Sequence, residues 1–258
     1  MLAPAQACKS VARVGVSELG YASSQNDGKV EGISVDLVRE MARRAGCKVD
    51  FVWFPRDRLL IEYSSDRIDI AMAALRTAQV DKVAHFLPYG YTQYELLLPR
   101  RAGVTNLADY IEKDSGTLVA HRGQTFTPVI RTQIARLEKA GRLEWFSDFD
   151  ALFKRVAASR SDATIATPAV SLWYRKRIAN ADELMAYEMS EGPRQFVGMY
   201  LSRKNLNAAD RSALAKALRS IVEDGTLLKI YSTYLDEPTI KRLFKDDIKQ
   251  LARAISAR

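Results

Sequence analysis

Two stretches of this chain spell the same order of elements, strand, helix, strand, helix, strand, and that repetition constrains the fold more than any other feature. The first begins with a short β-branched strand at 11–17 and a polar, glycine-containing loop at 19–29. Gly32-Ile33-Ser34-Val35-Asp36 then leads into a helix whose apolar residues Leu37, Val38, Met41, Ala42 and Ala45 recur at three-four spacing, with Gly46 as its C-terminal cap. A strand at 49–54, part of a short helix at 59–63 and a third strand at 68–74 complete the unit. The third strand is continuously apolar, as a parallel strand covered on both faces must be.

The second stretch repeats the order with a strand at 117–120, a helix at 127–140, a strand at 143–146, a helix at 149–158 and a strand at 163–167. Strands alternating with helices specify a mostly parallel sheet flanked by helices, with right-handed crossovers. Two apolar runs, 94–98 and 196–201, are expected to carry the chain between two lobes. A long helix at 208–223 closes at Asp224-Gly225, and 238–258 is expected to form one amphipathic helix with Ile240, Leu243, Phe244, Ile248 and Leu251 on one side.

At 258 residues there is room for one or two lobes. A composition 47% hydrophobic and 27% charged, with 13 Gly and 8 Pro, excludes a disordered or collagen-like chain. The longest near-apolar stretch, 68–75, is interrupted by Asp69 and is too short to span a bilayer. The net charge of +8 permits anionic partners. The basic residues are spread along the chain without any zinc-finger, RNA-recognition or basic-zipper pattern, so no nucleic-acid partner is expected.

Ala5-Gln6-Ala7 fits the small-x-small rule before a signal-peptide cleavage point, and 1–7 reads as residual signal-peptide or tag segment or as a plain tail; the first reading implies export to the periplasm. Cys8 and Cys47 are an even pair that forms a disulfide in an exported protein or two buried free thiols otherwise. Their spacing fits no zinc site, and no metal site is expected.

The sequence has no H-E-x-x-H, C-x-x-C, G-x-S-x-G or G-x-x-x-x-G-K-S/T, and Gly15 to Gly20 has phosphate-loop spacing but ends in Tyr21. His85 and His121 have no Ser, Cys or acidic neighbour that would make a triad. A non-enzyme without cofactors is the expectation. In open α/β sheets, ligands settle beyond the carboxyl ends of the strands, here the loops after Val16, Phe54, Ala74, Ala120 and Thr167.

Several motifs then fall in a telling order: Arg13-Val14-Gly15-Val16, 32–42 with its Gly-Ile-Ser-Val-Asp start, Asp66-Arg67-Ile68-Asp69-Ile70, Arg76-Thr77, Phe86-Leu87-Pro88-Tyr89, and Asp224-Gly225-Thr226-Leu227-Leu228-Lys229-Ile230-Tyr231. Together they resemble the bacterial extracellular solute-binding proteins of family 3, periplasmic receptors of amino-acid-type ABC importers. The resemblance runs from about Cys8 to Leu235. It implies an α/β clamshell of two lobes, each a mixed, mostly parallel sheet flanked by helices, joined by two hinge crossovers. Lobe 1 would comprise 8–98 plus 190–258 and lobe 2 would comprise 103–186, with the ligand between them.

Family members that bind α-amino acids show T-P-E-R after the third strand, whose Arg forks onto the carboxylate, and an Asp in the last strand of lobe 2 for the ammonium. Here Thr77-Ala78-Gln79-Val80 puts Val80 at the Arg position, and Thr167 stands at the Asp position. A standard α-amino acid is therefore disfavoured. Arg56 and Arg76 remain as cations, and Gly123-Gln124-Thr125-Phe126 occupies the helix start where backbone amides would meet a carboxylate. Tyr21 and Phe126 are placed to stack on the ligand. Glu18, Phe54, Ala74 and Thr77 complete the expected ligand set with Thr167. The resemblance further implies a membrane ABC permease as partner and a monomer in solution. Two alternatives share the scaffold: a sensor domain of a signalling receptor, and a cyclohexadienyl-dehydratase-like enzyme in which Glu18 and Asp57 act as acid or base if burial raises their pKa.

Overall fold

A computed structural model describes Cys8 and residues 11–113, 116–245 and 247–255; the expected signal remnant at 1–7 lies outside the described residues. The chain divides into two compact units, one holding residues up to Tyr91 and again from Phe196, the other Thr92–Gln195.

The first unit begins with β1 (Ala12–Val16), a small hairpin of β2 (Ser24–Asn26) and β3 (Lys29–Glu31), and α1 (Ile33–Ala45). It continues through β4 (Val49–Trp53), α2 (Arg56–Ser64), β5 (Ile70–Leu75) and β6 (Ala84–Thr92). The second unit contains β7 (Glu95–Pro99), α3 (Leu107–Glu112), β8 (Leu118–His121), α4 (Pro128–Lys139), β9 (Leu143–Phe146), α5 (Phe149–Ala158), β10 (Thr164–Ala166), α6 (Pro168–Arg175) and β11 (Leu184–Glu188). The chain returns through β12 (Gln195–Ser202) to α7 (Ala208–Glu223), α8 (Thr226–Tyr234), α9 (Glu237–Phe244) and α10 (Ile248–Ala254).

In the first unit the sheet order is β4-β1-β5-β12-β6. β1 pairs in parallel with β4 and β5, whereas β12 runs antiparallel to β5. The apolar stripe of α1 buries Leu37, Val38 and Met41 completely. Removing one such side chain from water contributes about 1.5–3 kcal/mol. Gly46, at φ 66°, ends the helix: its N–H reaches the Arg43 carbonyl at 3.4 Å, and the Cys47 N–H reaches Ala42 at 2.9 Å. Arg44 then ties α1 to α7 and α8, donating to Glu40, Asp224, Ser220 and Thr226. Cys8 and Cys47 form a disulfide, which settles the choice left open by their spacing.

The second unit has a three-stranded sheet, β10-β7-β11, antiparallel throughout, and a parallel pair, β8-β9. Reciprocal backbone bonds between Val119, Ala163 and Thr117 join β8 to the start of β10. Side-chain caps at Asn106, Thr127 and Asp148 start α3, α4 and α5. Phe153, Val156, Leu137 and Tyr110 form its buried interior.

Two sequence expectations need correction. Neither apolar run carries the chain between units: 94–98 lies in the second unit, where β7 is the centre of the sheet, and 196–201 lies within β12 of the first unit's sheet, and burial in a sheet is what made each look like a crossing. The C-terminal stretch is two helices, interrupted at Lys245 (φ 46°), and its apolar side is covered, with Leu243, Phe244 and Leu251 buried and α10 packed on α7.

Candidate functional site

The carboxyl ends of β1, β4 and β5 come together in the first unit. The loop after β1 is held by serine hydroxyls: Ser23 donates to the Ser17 carbonyl at 2.7 Å, and Ser34 donates to the Ala22 carbonyl at 2.6 Å. Within it, the Glu18 carboxylate accepts from the Gly20 N–H at 3.1 Å, and the Tyr21 ring lies 6.2 Å from Tyr234. Burial, with Asp36 accepting from its hydroxyl, pushes the Tyr234 phenol up to about 12. Asp57, on the first turn of α2, is exposed.

Phe54 is half-buried; its N–H continues the β1 ladder to Val16, and its ring packs with Val80 and Phe86 against Leu59, Tyr63, Ala74 and Tyr200. Val80, at the position where the resemblance expects an arginine, is thus part of an apolar cluster. Arg56 donates from Nη1 to Ser17 Oγ at 3.3 Å and from Nη2 to the Ala73 carbonyl at 3.2 Å. Arg76 is largely exposed, with Nε on Asp81 Oδ2 at 2.7 Å and its guanidinium 5.9 Å from the centre of the Phe86 ring. Thr77 gives its N–H to the Tyr200 hydroxyl at 2.7 Å and accepts at Oγ1 from Val80.

In the second unit, Gly123 takes φ 77° in the loop between β8 and α4. Gln124 donates through Nε2 to the Ile165 carbonyl at 3.0 Å, while its Oε1 is buried and without a hydrogen-bond partner among the described residues. The Thr125 carbonyl accepts from the Tyr94 hydroxyl. Phe126 is buried, 5.7 Å from the Tyr94 ring, and so packs inside the unit. Thr167 stands at the N-cap of α6, its carbonyl accepting from Val170 and Ser171. His121 is buried and stacked on Phe149 at 3.9 Å, with Nε2 bonded to the Ser147 carbonyl. The loop after β8 is therefore tied to strand β10, through Gln124 and the Ile165 carbonyl.

Sequence reasoning missed Ser17, Ser34, Tyr94 and Tyr200, whose polar tips fix these loops. It also missed Glu95, a buried carboxylate opposite Ala166 that accepts from Ser171 Oγ at 2.7 Å. A charged residue at the head of the apolar run 95–99 was the one signal available for it.

The profile of the bacterial extracellular solute-binding proteins, family 3, matches residues 13–237, and the chain belongs to that family. The L-cystine-binding protein TcyA of Bacillus subtilis (strain 168) is 25% identical over 215 residues, 83% of this chain and 75% of that protein. Among solved structures, the arginine-, lysine-, histidine-binding protein ArtJ from Geobacillus stearothermophilus superposes with a TM-score of 0.73 at 21% identity, covering 90% of this chain and 99% of that one. An ancestral arginine-binding protein bound to arginine gives 0.69 at 23% identity, covering 89% and 100%. The fold is that of the two-lobed periplasmic binding proteins. Among the described residues no helix is long and apolar enough to cross a membrane.

Proposed function

We propose that this chain is an exported, periplasmic solute-binding protein that captures a small polar, carboxylate-bearing ligand and, as a monomer, delivers it to an ABC importer without chemical turnover. The observation that carries the ligand class is Arg76 at the end of β5: its guanidinium already holds a carboxylate, that of Asp81, at 2.7 Å on an exposed surface. A ligand carboxylate that displaced Asp81 would meet a cation in a geometry suited to it. Arg56 adds positive charge at the head of α2.

Val80 and Thr167 argue against the usual α-amino-acid clamp. Replacing an arginine by Val80 removes about two charge-assisted hydrogen bonds, each worth ~1.5–3 kcal/mol when well formed. The ligand is then recognised by a carboxylate placed elsewhere than on an α-amino centre, with apolar contact to Phe54, Val80 and Phe86.

Calorimetric titration with matched pairs of carboxylic acids and their primary amides tests the reading. Acids should bind and amides should not, and Arg76→Ala should weaken the acid by more than about tenfold, the loss of one charged contact. Equal affinity for acid and amide, or no effect of Arg76→Ala, contradicts it.

A further inference from the structure

The pairing of β5 with β12 contains a defect. Ala71 faces Tyr200 and Ala74 faces Gly198, so Met72 and Ala73 together oppose Met199 alone. This is a bulge, and its second residue, Ala73, has φ +51°. Glycine is the ordinary occupant of such a position, because a Cβ crowds the following carbonyl in the left-handed region. Nothing in the sequence marks Ala73 as a turn; it lies in the apolar run Ile70-Ala71-Met72-Ala73-Ala74. A conformation unfavourable to alanine persists only where its surroundings impose it.

The surroundings are polar and converge from several elements. Arg56 donates to the Ala73 carbonyl at 3.2 Å and, from the other arm of the same guanidinium, to Ser17 Oγ at 3.3 Å. Tyr89 of β6 is buried beside Ser34, Arg56 and the Ala73 backbone, all of which act on its phenol. The bulge stands immediately before Ala74 and Thr77, and a bulge redirects the side chains that follow it.

We propose that Arg56 is a positioning residue: its guanidinium holds the left-handed turn at Ala73 against the end of β1, and so aims residues 74–77 at the ligand. This rests on the binding function proposed above for where the ligand goes, but not for the coupling between Arg56 and Ala73, which is a property of the folded chain. The guanidinium acts through the backbone; the ligand need not touch it.

The test uses the whole protein and four forms: wild type, Arg56→Met, Ala73→Gly and the double variant. Glycine adopts the left-handed turn unaided, so Ala73→Gly should repair what Arg56→Met breaks. Amide hydrogen exchange of 74–77 should quicken by about tenfold in Arg56→Met and return toward wild type in the double variant. Titration with succinate and citrate, carboxylates without an α-amino group, should show the same pattern, a loss of at least about tenfold in affinity and its recovery. Loss of binding with unchanged exchange, and no recovery with glycine, would mean that Arg56 grips the ligand directly and would overturn the positioning role. Unchanged exchange with unchanged binding overturns it as well. If the wild type binds neither probe, exchange alone decides the proposal, and the failure belongs to the choice of ligand. Should Arg56→Met not fold, Arg56→Lys, which keeps the charge and loses the fork, should show the same quickening and the same repair by glycine; normal exchange in it overturns the proposal.

Discussion

The N–H of Thr77 donates to the hydroxyl of Tyr200 at 2.7 Å, across 123 residues of sequence. Through it β12, the strand that returns to the first unit, holds the loop that follows β5. Tyr200 is buried, and burial raises its phenol above the ordinary value, so the hydroxyl stays protonated at neutral pH. Tyr200→Phe should lower stability by about 1 kcal/mol, the net worth of one such bond, and should weaken ligand binding by loosening Thr77. Chemical denaturation and titration of the same variant measure both; a variant with wild-type affinity would remove the Thr77 loop from the site.

The disulfide anchors a residue outside the family match to the end of α1. Closing a loop with a sequence separation of 39 should stabilise the protein by ~4 kcal/mol in the chain-entropy account. Thermal unfolding with and without reductant, and of Cys8→Ser, should show that loss, while a melting point indifferent to reductant would contradict it.

Acid should weaken the seam between α1 and α7. Hydrogen bonds from Arg43 chiefly, then from Arg44, hold the Glu40 carboxyl at about 2, against an ordinary value of 4.5. A carboxyl with a lowered folded-state pKa contributes stability that is present above 4.5 and disappears as the pH falls from 4.5 toward 2. Urea midpoints measured through this window should fall less steeply for Glu40→Gln than for wild type. Parallel profiles would show that Glu40 does not contribute.

The C-terminal helices belong to the interior of the first unit. Phe244 is buried, edge-on to Tyr231 at 4.8 Å and to Tyr91 at 6.0 Å. Phe244→Ala should cost about 3–5 kcal/mol, as removal of a packed aromatic does. A loss below about 1 kcal/mol, typical of an exposed site, would mean that these helices only rest on the surface.

Periodicity made much of this fold readable in advance. The helices over 33–45, 149–158 and 208–223 show a clean three-four spacing and distinct caps, and the structure has each of them. Sequence failed where burial erases periodicity. β7, buried along its whole length, looked like any apolar run, and the hairpin β2-β3, only three residues per strand, gave no pattern to read. The candidate site was legible in part because Arg56, Arg76 and Thr77 are polar residues beside strands. What they bond to was not legible, since Ser17, Ala73, Asp81 and Tyr200 reach them through tertiary packing and, at Ala73, through a backbone turn for which alanine gives no sign.

The central claim is that the protein binds a small carboxylate-bearing solute. Its most direct test is a thermal-shift panel on the purified protein against amino acids, di- and tricarboxylates, polyamines and aromatic acids at matched ionic strength. A ligand at about 100 times its dissociation constant should add roughly 2.7 kcal/mol, a rise of a few degrees for a chain of this size. The expected result is that rise with one class of carboxylates that lack an α-amino group, and none with polyamines. A rise with polyamines alone, or with nothing in the panel, would contradict it.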